Sequence, residues 1–278
     1  MARLHTYTAW PPGSSAESAR FSARRYAAEC GDLALQFDAA PRALLVTALL
    51  ARCLRAADTR PLTAQALWQW SVAERLQGLL AVALATTGPN TTAVASCGHA
   101  GCGQSIELEL ELASFAAPHT VHSASGVAPD GSALLCRLPT GDDQRAWREF
   151  ADSDTAQTTE AGERWLAQRL VERVADAPPT QDWSLPTAWL ESIAALLDAS
   201  DPLNALVVGI ECPYCGGHNN IDVDLEQLLI EGLRRQQRSL IEQVHRLACI
   251  YHWSEAQIVG LPPWRRARYL AQVEAHFS

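Results

Sequence analysis

Lysine is missing from this chain altogether: all 22 basic residues are arginine. Against 31 acidic residues they leave a formal net charge of −9. That balance works against broad, sequence-independent attachment to nucleic acid or to anionic membranes, which clustered positive charge drives. With the heavy use of alanine and leucine, missing lysine reads as coding bias in a GC-rich genome and not as a functional signal. Long apolar runs are missing too. The longest, Ala43–Ala51, is too short to span a bilayer. Met1-Ala-Arg-Leu-His leads into polar Thr-Tyr-Thr, without the apolar core of a secretory signal. These absences predict a soluble chain made in a reducing cytoplasm, with Cys30, Cys53, Cys136 and Cys249 as buried thiols. Catalytic signatures are absent as well: no Gly-x-Ser-x-Gly, no Walker glycine loop, no dinucleotide-binding glycine fingerprint and no His-Glu-x-x-His. A non-enzymatic protein is the expectation.

What is present is a doubled cysteine pattern. Cys97-Gly-His-Ala-Gly-Cys102-Gly runs into Ile106-Glu-Leu-Glu-Leu-Glu-Leu112, and Cys212-Pro-Tyr-Cys215-Gly-Gly runs into Ile221-Asp-Val-Asp-Leu225. Strand-like Thr91–Ser96 and Ala205–Ile210 precede the two pairs. Strand, knuckle, strand is therefore written twice. Four thiolates on two tight turns suit one tetrahedral, structural Zn2+ bound by Cys97, Cys102, Cys212 and Cys215. The glycines after Cys102 and Cys215 permit the positive φ that a knuckle needs. A redox Cys-x-x-Cys would want a strand-to-helix context, and here strands lie on both sides. Four residues separate Cys97 from Cys102, which leaves His99 as an alternative ligand, and His218 is another.

With 278 residues, 48% of them hydrophobic, the chain is long enough for one large domain or two to three small ones. The reading is α+β and mainly helical, in four parts. Residues 1–90 form an N-terminal helical region. Residues 91–112 and 203–225 form the split zinc ribbon, built of two β-hairpin knuckles. Residues 113–202 are a mostly helical insertion. Residues 226–278 carry a long helix and a helical hairpin. Within these parts, 1–15 read as a loose arm anchored by Trp10, and 16–30 as helix-forming. Helices are expected from Pro41 to Arg55, from Thr63 through Leu84, over Glu160–Asp176 and over Thr187–Asp198. Segment 116–132 reads as loop and Leu134–Leu138 as a short strand. Thr140 or Asp142 is placed to cap a following helix. A long amphipathic helix over Leu225–Tyr251 precedes Ser254-Glu-Ala-Gln257, a capping-box signature. The last helix runs from Trp264 to Val273.

Other constellations read as structural. His245 and His252 are two helical turns apart, with too few companions for a metal. Glu107, Glu109, Glu111, Asp222 and Asp224 alternate with aliphatic residues, the pattern of half-buried strands with a charged outer face. Arg265, Arg266 and Arg268 beside Trp264 and Tyr269 suggest nucleic-acid binding. On an acidic chain, a hairpin packing Trp253, Ile258, Leu261, Trp264 and Leu270 against the long helix is the simpler reading, since phosphate affinity scales with the number of phosphates neutralised.

The order of these landmarks resembles a known family. A helical N-terminal region is followed by a knuckle with acidic alternation, and then by Leu138-Pro-Thr-Gly-Asp-Asp-Gln144. A helical insertion ends in Asp201-Pro202 and leads to Cys212-Pro-Tyr-Cys-Gly216. The segment Val244–Leu270 closes the pattern. The chain looks like the zinc-knuckle baseplate-type proteins of contractile phage tails and phage-tail-like injection systems, distantly similar to the baseplate hub proteins of T-even phages. The resemblance spans residues 30–275. It implies a structural or assembly role through contacts with baseplate, spike or tube proteins, in the bacterial cytoplasm during assembly or within the particle. Its metal ligands carry over to Cys97, Cys102, Cys212 and Cys215. The first knuckle departs from the family's more usual Cys-x-x-Cys. The alternative is a zinc-ribbon nucleic-acid-binding or regulatory protein using the C-terminal arginines.

Overall fold

Short antiparallel strands and a larger share of helical residues give an α+β chain. The computed structural model describes residues 6–15, 18–117, 121–152 and 158–277. β1 (Thr8–Trp10) pairs antiparallel with β2 (Phe21–Ala23), setting Trp10 opposite Phe21. α1 (Arg42–Cys53) begins directly after Pro41, whose fixed φ suits a helix start. It leads into β3 (Leu54–Ala56), the third strand of that sheet. α2 (Ala64–Gln69), capped by the Thr63 hydroxyl, is followed by α3 (Val72–Thr87). β4 (Asn90–Ser96) and β5 (Ser105–Glu111) form a hairpin in continuous register from Asn90↔Glu111 to Ser96↔Ser105.

β6 (Ser123–Val127), β7 (Ala133–Arg137) and β8 (Val171–Val174) make a second antiparallel sheet, with α4 (Gly141–Ala151) and α5 (Thr159–Leu170) between β7 and β8. After α6 (Leu190–Ser200) comes a second hairpin, β9 (Val207–Glu211) with β10 (His218–Asp222). α7 (Leu225–Tyr251), α8 (Glu255–Val259) and α9 (Pro263–Phe277) end the chain.

Backbone contacts divide the chain into two compact units. The first comprises Met1–Leu62, Gly78–Ala116 and Glu226–Ser278. In it, Gly78 lets helices approach closely, for a Cβ there would stand 3.0 Å from Leu50 Cδ2 and 3.1 Å from Leu54 Cδ1. A buried polar network ties α7 to the N-terminal segment. Arg24 donates to both oxygens of Asp32 at 2.8 Å, and Tyr26 donates to Asp32 O at 2.7 Å. The Gln237 amide nitrogen reaches Tyr26 Oη, Leu33 O and Leu35 O. Burial works against the Arg24 charge, but the Asp32 hydrogen bond and nearby acidic groups reverse it, and its pKa lies above the ordinary value. In the C-terminal hairpin, Leu247, Ile258 and Val273 form a small core under Tyr251, Trp253 and Tyr269. The ring centroids of those three aromatics lie 4.7, 5.0 and 5.6 Å apart.

The second unit comprises Thr63–Gln77 and Ala117–Leu225. Its core is Leu134, Cys136, Ala167, Val171, Leu185, Trp189 and Ile193. Thr140 caps α4 in a capping box with Asp143. Asp143 is 2% exposed and accepts from Arg137 Nη2 at 2.8 Å, Thr140 N at 2.9 Å and Arg169 Nη2 at 3.3 Å. Gly141 is required where it stands, because a Cβ would meet Arg75 Nη1 at 2.7 Å and Trp68 Cε3 at 2.9 Å.

Several expectations are corrected. The helix predicted from Thr63 breaks at Trp70–Ser71, where Val72 N donates to Pro139 O and Gly141 N to Trp70 O. Backbone partners from another segment take the place of the helical bonds. Within the stretch read as helix-forming at 16–30, the described part is β2 and then a 3-10 turn at Cys30–Ala34. Trp10 is 3% exposed in β1, so the arm is anchored as expected, but its Thr8–Trp10 segment is a strand. The predicted helix over Glu160–Asp176 stops at Leu170, because Val171–Val174 joins β7 as a strand. Part of the predicted loop at 116–132 is β6, so the stretch 113–202 holds a three-stranded sheet beside its helices. Residues 1–5, 16–17, 118–120, 153–157 and 278, which some of these expectations include, lie outside the described residues.

Candidate metal centre

Each knuckle is built by its hairpin. Beyond β4, Cys97 N donates to Gln104 O at 2.9 Å, which extends the ladder by one pair, and Cys102 N turns back to His99 O at 3.1 Å. Gly101 and Gly103 have φ of +84° and +56°, values that side chains with a Cβ resist. The second knuckle is tighter. Cys212 N donates to Gly217 O and Gly216 N to Cys212 O, both at 2.8 Å, with Gly216 at φ +71°.

These turns bring the four expected ligands to one place. The Sγ atoms of Cys97, Cys102, Cys212 and Cys215 all lie within 4.8 Å of one another. Cys97 and Cys212 are 5% and 2% exposed, Cys102 is half-buried and Cys215 faces solvent. In a tetrahedral thiolate shell at a metal–sulfur distance of ~2.3 Å, the sulfurs stand about 3.8 Å apart, so the cluster matches a metal-binding arrangement with small adjustment. The group consists of sulfurs only: neither His99 nor His218 belongs to it. His218 sits in β10 with its ring across from Gly209, where a Cβ would meet Cε1 at 3.3 Å. Four thiolates leave a bound ion no open position for water, so the arrangement suits holding a fold and not activating a nucleophile.

No protein-family model, curated protein or solved structure matches the chain. What it does therefore has to be argued from its own residues. Among the described residues no other group of three or more His, Cys, Asp or Glu side chains is placed to hold a metal. His245 lies 3.9 Å from the Cys249 sulfur, one helical turn on, and His252 is exposed at φ +56°. The acidic side chains of β5 point outward while Ile106, Leu108 and Leu110 are buried, as alternation predicts. No helix among the described residues is long and apolar enough to cross a membrane.

The remaining cysteines divide. Burial pushes the Cys53 thiol up to about 12 and the Cys136 thiol up to about 11, which keeps both protonated and inert. Cys30 is half-buried and Cys249 exposed, against the expectation that all four would be inside. The C-terminal arginines divide as well. Arg266 is 5% exposed and donates to Val259 O, Leu261 O and Gln243 Oε1. Arg265 lies against the Tyr269 ring. Trp264, expected to pack inward, is 67% exposed. The sequence reading missed a further cationic cluster, Arg24 and Arg25 beside Arg266. Its only local signal is the Arg24-Arg25 doublet, and Arg266 reaches it through the fold.

Proposed function

We propose that Cys97, Cys102, Cys212 and Cys215 hold one structural Zn2+, and that the protein is a non-enzymatic component or assembly factor of a contractile-tail or injection-system baseplate, acting through protein contacts. The observation that carries the zinc assignment is the convergence of four sulfurs, with no imidazole or carboxylate among them, on two hairpin turns. An all-sulfur set favours zinc over the hard cations, which prefer oxygen. The baseplate role rests on the order of landmarks in the sequence, with the paired knuckles and the C-terminal hairpin as its most specific parts. The exposed Trp264 suits an interface, where tryptophan and arginine act as anchors. The nucleic-acid reading weakens once Arg266 serves as an internal brace, since fewer arginines remain for phosphates on a chain of net charge −9.

The deciding experiment is affinity capture of the tagged protein from cells that encode it, with nuclease treatment, read by mass spectrometry. Baseplate, spike or tube proteins are the expected catch. Polymerase subunits, or complexes that nuclease dissolves, without tail proteins would overturn the assignment.

A further inference from the structure

The geometry points to a second binding site: a cavity of about 590 Å³ inside the first unit that takes a carboxylate carried on an apolar body. Its walls are Ala27, Ala28, Val259, Leu261, Pro262 and Pro263. Arg24, Arg25 and Arg266 line it as well. The volume is that of a typical small-ligand pocket, which is mostly apolar with a few polar groups that fix orientation.

The three arginines are not equivalent. Arg24 is matched by Asp32, and Glu29 lies 3.6 Å from its Nε. Arg266 has its Nη1 committed to Val259 O and Leu261 O. Arg25 is half-buried, its Nε is shut off from solvent without a hydrogen-bond acceptor, and no carboxylate among the described residues pairs with it. A guanidinium always carries its charge and offers five donors in a planar fork. With no carboxylate among the described residues answering this fork, a carboxylate from outside supplies two oxygens at the matching spacing. Arg266 adds a second positive charge, donating to neutral carbonyls and an amide oxygen, so the site favours an anion, and the planar pair of carboxylate oxygens fits the Arg25 fork. The first residue of α9, Pro263, also lines the cavity, so the positive end of the helix dipole adds in the same sense. The apolar walls then select the rest of the ligand. Such a carboxylate is found on a free small acid or at the C-terminus of a peptide. This site is separate from the metal centre and independent of the baseplate role.

The test is calorimetric titration of the full-length, zinc-loaded protein with 4-phenylbutyrate and with a pentapeptide ending in leucine. Each is run beside its neutral amide. At least one acid is expected to bind at least tenfold more tightly than its amide. Tighter binding of the peptide assigns the source as a protein C-terminus, and tighter binding of phenylbutyrate a free acid. Arg25→Gln should abolish the preference for acid over amide at an unchanged melting temperature. Ala28→Phe, which fills the wall and leaves every arginine in place, should abolish binding, and it carries the test if the first variant does not fold. Absence of binding by both acids, equal binding of acid and amide, or parent-like binding by the folded variants would overturn the proposal.

Discussion

Asp143 shows what a single side chain contributes. Burial alone would raise its pKa, but hydrogen bonds from Arg137 and Thr140 and the Arg137 charge outweigh that and hold the carboxyl down to about 2. A depressed folded-state value means stability that is present above the unfolded value, near 3.9, and is lost as pH falls through the folded one. The second unit should therefore lose on the order of 2 kcal/mol between about pH 4 and pH 2 from this group. Asp143→Asn should lower stability at neutral pH and flatten that acid limb, as read by urea unfolding across pH. An unchanged acid limb in the variant would sink the assignment. The Thr140 cap was readable, because a threonine three residues before a carboxylate is a local signal. Arg137 and Arg169 were not, since one comes from a strand and the other from a distant helix and only the fold sets them on one carboxylate. The four clustered cysteines lay at the readable extreme, as short spacings flanked by strands announce them.

Elements were legible where their signals are local and lost where tertiary pairing intervenes. Helix α7 has the bounds its apolar stripe predicts, and the Ser254–Gln257 capping box forms as written. The break before α3 also has a local signature that the sequence reading passed over. Ser71-Val-Ala-Glu74 is a helix start, and Ser71 N donates to Glu74 Oε2 at 2.8 Å. Strand β8 had no such marker: Val171–Val174 continues a helical pattern until β7 claims it. The C-terminal hairpin depends on Arg266 in the same non-local way, since its guanidinium binds the carbonyls of Val259, at the end of α8, and of Leu261, just past it. Arg266→Ala leaves those acceptors without their donors and should cost about 2–3 kcal/mol. Arg265→Ala and Arg268→Ala, both exposed, should stay within about 0.5 kcal/mol. Thermal unfolding of the three variants checks this, and a null effect at Arg266 would return the arginines to the nucleic-acid reading.

At the scale of the whole molecule the proposed metal would dominate. Structural zinc in small peptides contributes on the order of 10 kcal/mol apparent, which exceeds any single side-chain term here. Elemental analysis of purified protein should find one zinc per chain. Chelation should lower the melting temperature and added Zn2+ should restore it. Cys212→Ser should give metal-free, partly unfolded or insoluble protein, while Cys249→Ser, outside the cluster, should match the parent. A soluble Cys212→Ser chain with parent-like melting and full metal content would remove the zinc claim.

The spacing of the knuckles also has a consequence in time. With 109 residues between Cys102 and Cys212, a ribosome adding roughly 5–20 residues per second leaves an interval of about 5–20 s before the second pair exists. If the four sulfurs hold one ion, the nascent chain carries only half of that site throughout this interval. On the proposed zinc assignment, metal and reductant supply during translation should set the yield of correctly assembled molecules.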